Sequence, residues 1–384
     1  MKCLTPTVFR RFTALVSILL VCARIHAADA TTATTDSAQI TTSLPIKAGH
    51  EPELAIDGNL DTYFQAAAST RAGSDFTVRL PKPMRLNGIE AFTGLPDGAG
   101  QLDAGVLETS TDATNFVVAA TFEKGEAKVT APQDNVLAVR LRATAAATSR
   151  LVIRELKLEA ASPLPPFHFV TRVDLDYSKA PECAEFALHS KSLIEEWYPR
   201  IRELLASSNQ PPPNSVVTLI FRPMDGVAAT SDDVISVSSG YVKNYPKDYG
   251  MIIHELTHVV QAYKGGGAFW CTEGIADYIR HRFFEPGARK LRINPDHSKY
   301  TDAYTTTAAF LIWLEKNKDP KIVIKLNAAS RANDPLLPIF KEATGSDVNT
   351  LWKEFADTFR TPKTDAPAAA STTNAPAAPT KGGI

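Results

Sequence analysis

The residues most suited to chemistry lie between Met251 and His281, in the stretch MIIHELTHVVQAYKGGGAFWCTEGIADYIRH. Its HELTH segment places His254 and His258 four residues apart, so on a helix both imidazole rings project from one face. A zinc ion binds such nitrogen donors at about 2.0–2.1 Å, and a rigid helix supplies that geometry. Glu255 is rotated by one residue and can therefore hold a water molecule beside the ion. The spacing predicts a catalytic zinc site.

A second acidic pair follows in WCTEGIADYIRH, where Glu273 and Asp277 are one helical turn apart. A catalytic zinc site has three protein ligands and one open position, so one carboxylate would complete the set. Asp277 is placed to accept the free ring N–H of a liganding histidine, which fixes the tautomer of that ring. Two alternatives stay open, in which Asp277 or His281 is the third ligand. HExxH also arises by chance, and its histidines would then be incidental residues on a helix surface.

The helix that carries these histidines is predicted to be buried, because apolar residues surround the polar trio. These residues are Ile252, Ile253, Leu256, Val259, Val260 and Tyr263. The glycines at 265–267 are expected to end the helix.

The neighbouring elements predict an α+β domain over residues 167–361, with helices dominating its second half. A helix is expected in PECAEFALHSKSLIEEWYPRIRELLASS, and strands follow in SVVTLIF and DVISVSSGYV. Further helices are expected in YTTTAAFLIWLEKN and in SDVNTLWKEFADTF, where Ser346 would be the N-cap. The segment VISVSSGYV would be either the edge strand on which an extended peptide substrate lies or a plain core strand.

A different pattern covers residues 39–160, where short alternating runs are separated by turn residues. Examples are DFTVRL, GIEAFTG, NFVVAATF and RLVIRELKLE. Short strands at regular spacing predict an all-β sandwich. The prolines of SPLPPFHF break this pattern, and residues 161–166 are predicted to link the two domains.

The chain ends predict export. Residues 1–30 resemble a signal peptide, with Lys2 and Arg10 before a short apolar run, so we expect a secreted, extracellular or periplasmic protein. That run is too short to span a bilayer comfortably.

Residues 31–38 are a Thr/Ala/Ser linker, and the Pro/Ala/Thr-rich tail at 362–384 cannot build a core. The net charge of −1 does not favour nucleic acid as a partner.

Two cysteines remain once the signal segment is discounted, Cys183 and Cys271. In an oxidising compartment they would either form a disulfide or stay as buried thiols, and sequence spacing does not decide between these outcomes.

HELTH followed by EGIAD resembles the gluzincin metallopeptidases such as thermolysin. More specifically, GMIIHELTHVVQAY, WCTEGIADYIR, YTDAYTTTAAFLIWLE and LWKEF resemble the basic secretory protein family of zinc peptidases, which implies a zincin-like domain. The resemblance implies that zinc is bound by His254, His258 and Glu273, with Glu255 as general base and Asp277 orienting a ligand. Tyr304 occupies a family tyrosine position and would either donate to the oxyanion or pack at a helix start.

Two features separate this stretch from related patterns. The gap from His258 to Glu273 is short for a gluzincin, and Gln261 and Lys264 contradict the metzincin pattern, which has glycine and histidine there.

The first domain resembles the discoidin, or coagulation factor type C, jelly roll of many carbohydrate-binding modules. The resemblance lies in ELAIDGNLDTYFQ, LETSTDATNFVVAATF and IRELKLE, although Phe64 and Phe116 replace the usual tryptophans. It implies a glycan or cell-surface ligand. It also implies a structural Ca²⁺ held by oxygen donors of Asp57, Asn59, Thr62 and Glu155. An ordinary Asp-Gly turn is the alternative for this loop.

Together these patterns predict an exported zinc-dependent endopeptidase that acts on proteins or peptides and carries a β-sandwich targeting module. One alternative is a noncatalytic secreted glycan-binding or adhesion protein on a peptidase scaffold. Another is a zinc hydrolase with a non-peptide substrate.

Overall fold

The computed structural model of the chain describes residues 36–265, 267–287 and 293–360. The predicted signal segment, most of the first linker and the predicted tail at 362–384 lie outside the described residues. The described chain forms an N-terminal antiparallel β-sandwich followed by a part that contains a small sheet and eight α-helices. The predicted fold class is therefore confirmed.

Antiparallel pairing joins the strands of the sandwich in the order β2-β8-β3-β7-β4-β5, and β1 and β6 also pair with β3. Buried and exposed residues alternate along most of them, because successive side chains of a strand point to opposite faces. The strands are β1 Ala38–Thr42, β2 Phe64–Gln65, β3 Asp75–Thr93, β4 Gly105–Ser110, β5 Val117–Thr121, β6 Glu126–Val129, β7 Gln133–Ala143 and β8 Val152–Ala160.

Strand β3 combines two segments that the sequence pattern separates, DFTVRL and GIEAFTG. Its pairing register shifts between Arg79 and Met84 and again before Leu86, around Pro81 and Pro83. Proline lacks an N–H donor, so these residues interrupt the ladder locally without ending the strand. The first half of β3 pairs with β1 and β7, and the second half pairs with β6 and β8.

After the Pro-rich linker the chain returns to the sandwich before it enters the second part. Strand β9, Phe167–Phe169, pairs in parallel with β1. The Phe169 amide donates to the Glu53 carboxylate at 2.7 Å. The first residues of the predicted peptidase domain therefore hydrogen-bond to the sandwich.

The second part contains a four-stranded sheet in the order β10-β11-β13-β12. Its strands are β10 Arg172–Asp176, β11 Val216–Arg222, β12 Ala228–Ser231 and β13 Val234–Ser238. Only β12 is antiparallel, and it occupies an edge of the sheet. The hypothesis that VISVSSGYV is the edge strand is wrong. Strand β13 pairs with β11 on one side and with β12 on the other, and the SGYV residues begin a helix.

The helices share one apolar core with this sheet. They are α1 Ala184–Leu204, α2 Ser239–Asn244, α3 Gly250–Gln261, α4 Phe269–Ile279, α5 Tyr304–Asn317, α6 Ile322–Ala332, α7 Leu337–Thr344 and α8 Val348–Asp357. The predicted N-cap of α8 is wrong by one residue, because the Asp347 carboxylate, not Ser346, accepts from the Asn349 and Thr350 amides.

Both cysteines among the described residues are buried free thiols, so the disulfide alternative for Cys183 and Cys271 is not realised. Burial raises the pKa of the Cys271 thiol to about 12. In the described ranges no helix is both long enough and apolar enough to cross a bilayer.

Candidate metal centre

Helix α3 is buried on nearly every side, as its apolar composition predicts. It ends at Gln261, where Ala262 takes a left-handed conformation with φ 48°. The Arg331 guanidinium of α6 donates to the carbonyl oxygens of Val260 and Gln261, both at 3.1 Å. These bonds satisfy carbonyls that a helix end otherwise leaves free. The prediction that the glycines at 265–267 end the helix is therefore wrong.

Three polar side chains converge where α3 meets α4. The Nε2 atom of His254 lies 3.2 Å from Nε2 of His258 and 3.1 Å from Oε2 of Glu273. Nε2 of His258 lies 3.5 Å from the same carboxylate oxygen. One potential ligand atom from each of these three side chains lies within 4.8 Å of the other two, and in the described ranges no other trio of His, Cys, Asp or Glu does so. We call His254, His258 and Glu273 the ligand cluster.

The outer nitrogen of each ring determines its tautomer. Nδ1 of His254 lies 2.8 Å from Oδ1 of Asp277, and Nδ1 of His258 lies 2.7 Å from Oε1 of Gln261. Both oxygens are acceptors, so each Nδ1 carries the proton and donates it. The Gln261 amide is itself oriented, since its nitrogen donates to the Thr272 carbonyl at 2.9 Å. The neutral form of each ring therefore has its lone pair on Nε2, and both Nε2 atoms face the centre of the cluster.

Two imidazole nitrogens and a carboxylate oxygen at these distances require a positive charge between them, which is either a proton or a metal ion. The donor set suits zinc, which takes imidazole nitrogen and carboxylate oxygen ligands. The charges agree with this fit. Burial lowers the pKa of His254, but the Asp277 and Glu273 carboxylates outweigh it and raise the pKa to about 9, so without a metal ion a proton on Nε2 supplies the positive charge. A metal ion would displace that proton. Burial raises the pKa of Glu273, but hydrogen bonds from His254 and His258 outweigh it and lower the pKa to about 2.

Glu255 lies beside the cluster on α3 and is 7% exposed. Its Oε2 atom accepts a hydrogen bond of 2.7 Å from the hydroxyl group of Thr230 on β12. The Thr230 hydroxyl oxygen also lies 3.1 Å from the backbone carbonyl oxygen of Glu255. The hydroxyl group has a single proton, and it donates to the carboxylate because that acceptor is closer and charged. The edge strand is thereby connected to the proposed base.

Asp277 lies on the outer side of His254, away from the Nε2 atoms. Its second oxygen, Oδ2, accepts from the Thr305 hydroxyl at 3.1 Å and lies 3.7 Å from Nε2 of His281. His281 is buried and its Nδ1 has no hydrogen-bond partner among the described residues. The structure thus groups His281 with Asp277, while Glu273 faces the two histidines.

Tyr304 begins α5 at the mouth of the cluster, and its ring is 6.1 Å from the ring of His254. It is 47% exposed, and Phe269 packs edge-on against it. Ala303 and Tyr304 have φ values of 63° and 46°, a region that non-glycine residues rarely occupy. Burial and the negative charges of the cluster raise the pKa of Tyr304, so its hydroxyl group stays protonated as a donor.

The cluster opens into a cleft of about 1370 Å³. Residues of strand β12 and of helix α3 line it, together with Tyr304 and Lys264 among others. The side chains that sequence reasoning missed here are Thr230, Thr305 and the orienting Gln261. None of the three has a sequence signal of its own. Thr230 and Thr305 contact carboxylates that are distant in the chain, and Gln261 acts through the geometry of a helix end.

In the sandwich the structure brings together the four residues suggested for calcium. Oδ1 of Asp57 accepts from the Asn59 amide at 2.9 Å, and Oδ2 accepts from the Thr62 hydroxyl at 2.7 Å. Oε2 of Glu155 accepts from the Gly58 amide at 3.1 Å. Burial and the charge of Asp57 raise the pKa of Glu155 to about 6. Two carboxylates that approach one another in this way suit a cation, although the Asp57 oxygens also close the turn itself.

Comparison with protein families supports both resemblances. Residues 180–355 match the family of peptidases of plants and bacteria, and residues 38–156 match the F5/8 type C domain. The chain therefore combines a domain that matches a peptidase family with a discoidin-like domain, and the predicted resemblances are confirmed. No curated protein matches the chain.

Solved structures similar to this chain include three carbohydrate-binding modules. Module CBM32-1 of a family 31 glycoside hydrolase from Clostridium perfringens is 16% identical, with 32% of this chain and 93% of that chain covered and a TM-score of 0.28. The family 32 module of C. perfringens NanJ in complex with galactose is 18% identical, with 32% and 94% covered and a TM-score of 0.28. Chitosan-binding module 2 of a Paenibacillus sp. IK-5 chitosanase/glucanase, in complex with chitotriose, is 23% identical, with 31% and 93% covered and a TM-score of 0.27.

Proposed function

We propose that this chain, whose residues 180–355 match a peptidase family, is an exported zinc-dependent endopeptidase. One observation supports the proposal: both Nε2 atoms and the Glu273 carboxylate point at one centre, while each Nδ1 has its own acceptor. The cleft above that centre is open enough for a chain segment and has a strand edge along one side.

A bound zinc ion would supply Lewis acidity to the scissile carbonyl group and lower the pKa of the attacking water. The protein supplies the remaining steps. The Glu255 carboxylate takes a proton from the water and then gives it to the leaving amine nitrogen. Asp277 holds the His254 ring in the tautomer that keeps Nε2 free. In this proposal Tyr304 would donate its hydroxyl proton to the developing oxyanion from the cleft mouth.

The substrate would bind along β12. This strand pairs with β13 on one side, and no other described strand pairs with its outer edge. An extended peptide can hydrogen-bond to such an edge through its own backbone. A protein or peptide substrate therefore suits the cleft better than a compact small molecule.

The decisive experiment replaces Glu255 by glutamine in the full chain. Glu255→Gln should keep about one zinc per chain and lose peptide hydrolysis, because the amide cannot accept the water proton. Zinc is measured by elemental mass spectrometry and hydrolysis with a peptide library. His258→Ala should lose both, and the exposed Glu342→Gln serves as the matched control. Wild-type activity in Glu255→Gln would disprove the mechanism, and zinc without any hydrolysis in the wild type would favour a noncatalytic binding protein.

We further propose that the sandwich binds glycan or another cell-surface ligand and holds a structural Ca²⁺ in the loop of Asp57, Asn59, Thr62 and Glu155. The match to the F5/8 type C domain supports the first proposal, and the clustered oxygen donors support the second. A glycan array probed with the Glu255→Gln chain tests ligand binding without proteolysis of the array. No signal on any glycan or cell surface would contradict a targeting role.

A further inference from the structure

We propose that Thr230 is a positioning residue for Glu255: its hydroxyl group orients the carboxylate of the proposed base and keeps it turned away from the ligand cluster. The inference rests on the proposed function, because that function assigns Glu255 the proton transfer. It adds a second role to the edge strand, which would both bind the substrate backbone and orient the base.

The strand geometry directs Thr230 to the base. In β12, Ala228 and Thr230 are half-buried while Ala229 and Ser231 are exposed, which is the two-residue alternation of a strand that covers another layer. Pairing of Thr230 with Ile235 of β13 sets its position along the sheet. The side chain of Thr230 therefore faces α3 by virtue of its register.

The contact is specific to the carboxylate. Oγ1 of Thr230 lies 2.7 Å from Oε2 of Glu255, within the short range of hydrogen bonds to charged acceptors. No other group in the described ranges donates to this carboxylate. Glu255 is 7% exposed, so few water molecules can take the place of the hydroxyl donor.

Loss of that donor frees the Glu255 carboxylate. The last torsion of a glutamate side chain has a broad, roughly two-fold preference, so it does not hold the carboxylate in one orientation by itself. A metal ion held by the neighbouring cluster would attract this negative charge. A carboxylate that turns toward that ion occupies the position of the attacking water and cannot serve as its base. Thr230 would prevent this competing arrangement.

The experiment compares Thr230→Val with Thr230→Ser in the full chain. Valine keeps the branched shape and suits a strand, so it removes only the hydroxyl group. We expect kcat to fall about tenfold in Thr230→Val, a part of the range that a positioned base contributes, with KM within about twofold. Zinc content should not change. Thr230→Ser should restore most of kcat, because it restores the donor. The half-buried Thr218→Val in β11 is the matched control for a threonine in the same sheet.

A second readout does not need activity. In the zinc-free chain, the thermal unfolding midpoints of Thr230→Val, Glu255→Ala and the double variant form a cycle, and groups in direct contact give non-additive changes. Additive shifts, a wild-type kcat in Thr230→Val, or an equal loss in Thr230→Ser would each overturn the inference. A wild-type chain without hydrolysis would instead refute the proposed function, and the cycle would still decide whether Thr230 and Glu255 are coupled.

Discussion

Replacing Asp277 tests whether the carboxylate behind His254 prepares that ring to bind zinc. Oδ1 of Asp277 accepts the His254 Nδ1 proton at 2.8 Å, and the aspartate side chain is 9% exposed. Without this acceptor the ring can take the other tautomer, in which Nε2 carries the proton and cannot bind a metal ion. Asp277→Ala removes the acceptor, and Asp277→Asn keeps one oxygen but removes the charge.

The expected magnitude follows from two independent estimates. Partners of metal-binding histidines typically contribute about 10- to 100-fold to metal affinity, which corresponds to about 1.4–2.7 kcal/mol. A hydrogen bond to a charged group contributes about 1.5–3 kcal/mol to stability, which is similar. We therefore expect zinc to bind about tenfold more weakly to Asp277→Asn and closer to 100-fold more weakly to Asp277→Ala. Competition with a chromophoric chelator measures both dissociation constants.

Two controls separate this effect from general damage. Thr305→Val removes the donor to the other Asp277 oxygen and should weaken zinc binding far less, because the His254 contact remains. Asp296→Asn removes an exposed carboxylate that pairs with Arg360 and should have no effect. If Asp277→Ala is folded and binds zinc as tightly as the wild type, the tautomer argument is refuted.

Two further predictions concern the sandwich. Glu108 is 2% exposed and contacts Arg140 and Arg142, each at 2.6 Å. Burial raises the pKa of Glu108, but the two arginines outweigh burial and hold this pKa below its ordinary value. Glu108→Gln should thus lower the free energy of unfolding by about 2 kcal/mol near pH 7. This difference shrinks as pH falls through the lowered pKa, because the wild-type carboxylate then loses its charge too. Urea unfolding measured against pH checks this, with the exposed Glu123→Gln as control. Ca²⁺ at about 100 times its dissociation constant should stabilise the wild-type chain by about 2.7 kcal/mol and leave Glu155→Gln unaffected in calorimetry. Equal responses of both chains would remove Glu155 from the proposed calcium site.

Much of the fold is predictable because its patterns are local. The helical spacing of Phe186, Ile194 and Trp197 predicts α1, and all three are buried. The order of a sandwich before an α+β part also follows from the change in period along the chain. Strand β12 is different, since AATS contains no run of apolar or β-branched residues and forms a strand by pairing with β13. Its partner is close in the chain, since Ser231 pairs with Val234 across a two-residue turn, but a strand of small residues has a weak signal of its own.

Within the centre, sequence reasoning leaves the third ligand open. Glu273 and Asp277 lie one turn apart on the same helix, so helical geometry alone treats them alike. The packing of α4 against α3 separates them, because it brings Glu273 to the Nε2 side of His254 and Asp277 to the Nδ1 side. The distances between those helices depend on the whole core around them.

The sequence by itself therefore determined that two histidines share one face of a buried helix with a glutamate beside them. This relation depends only on 3.6 residues per turn and needs no other part of the chain. The tertiary structure alone decided which carboxylate faces them, which strand forms the cleft edge and which hydroxyl group contacts Glu255. Those relations join residues up to dozens of positions apart, and side-chain packing, not local spacing, sets the distances between them.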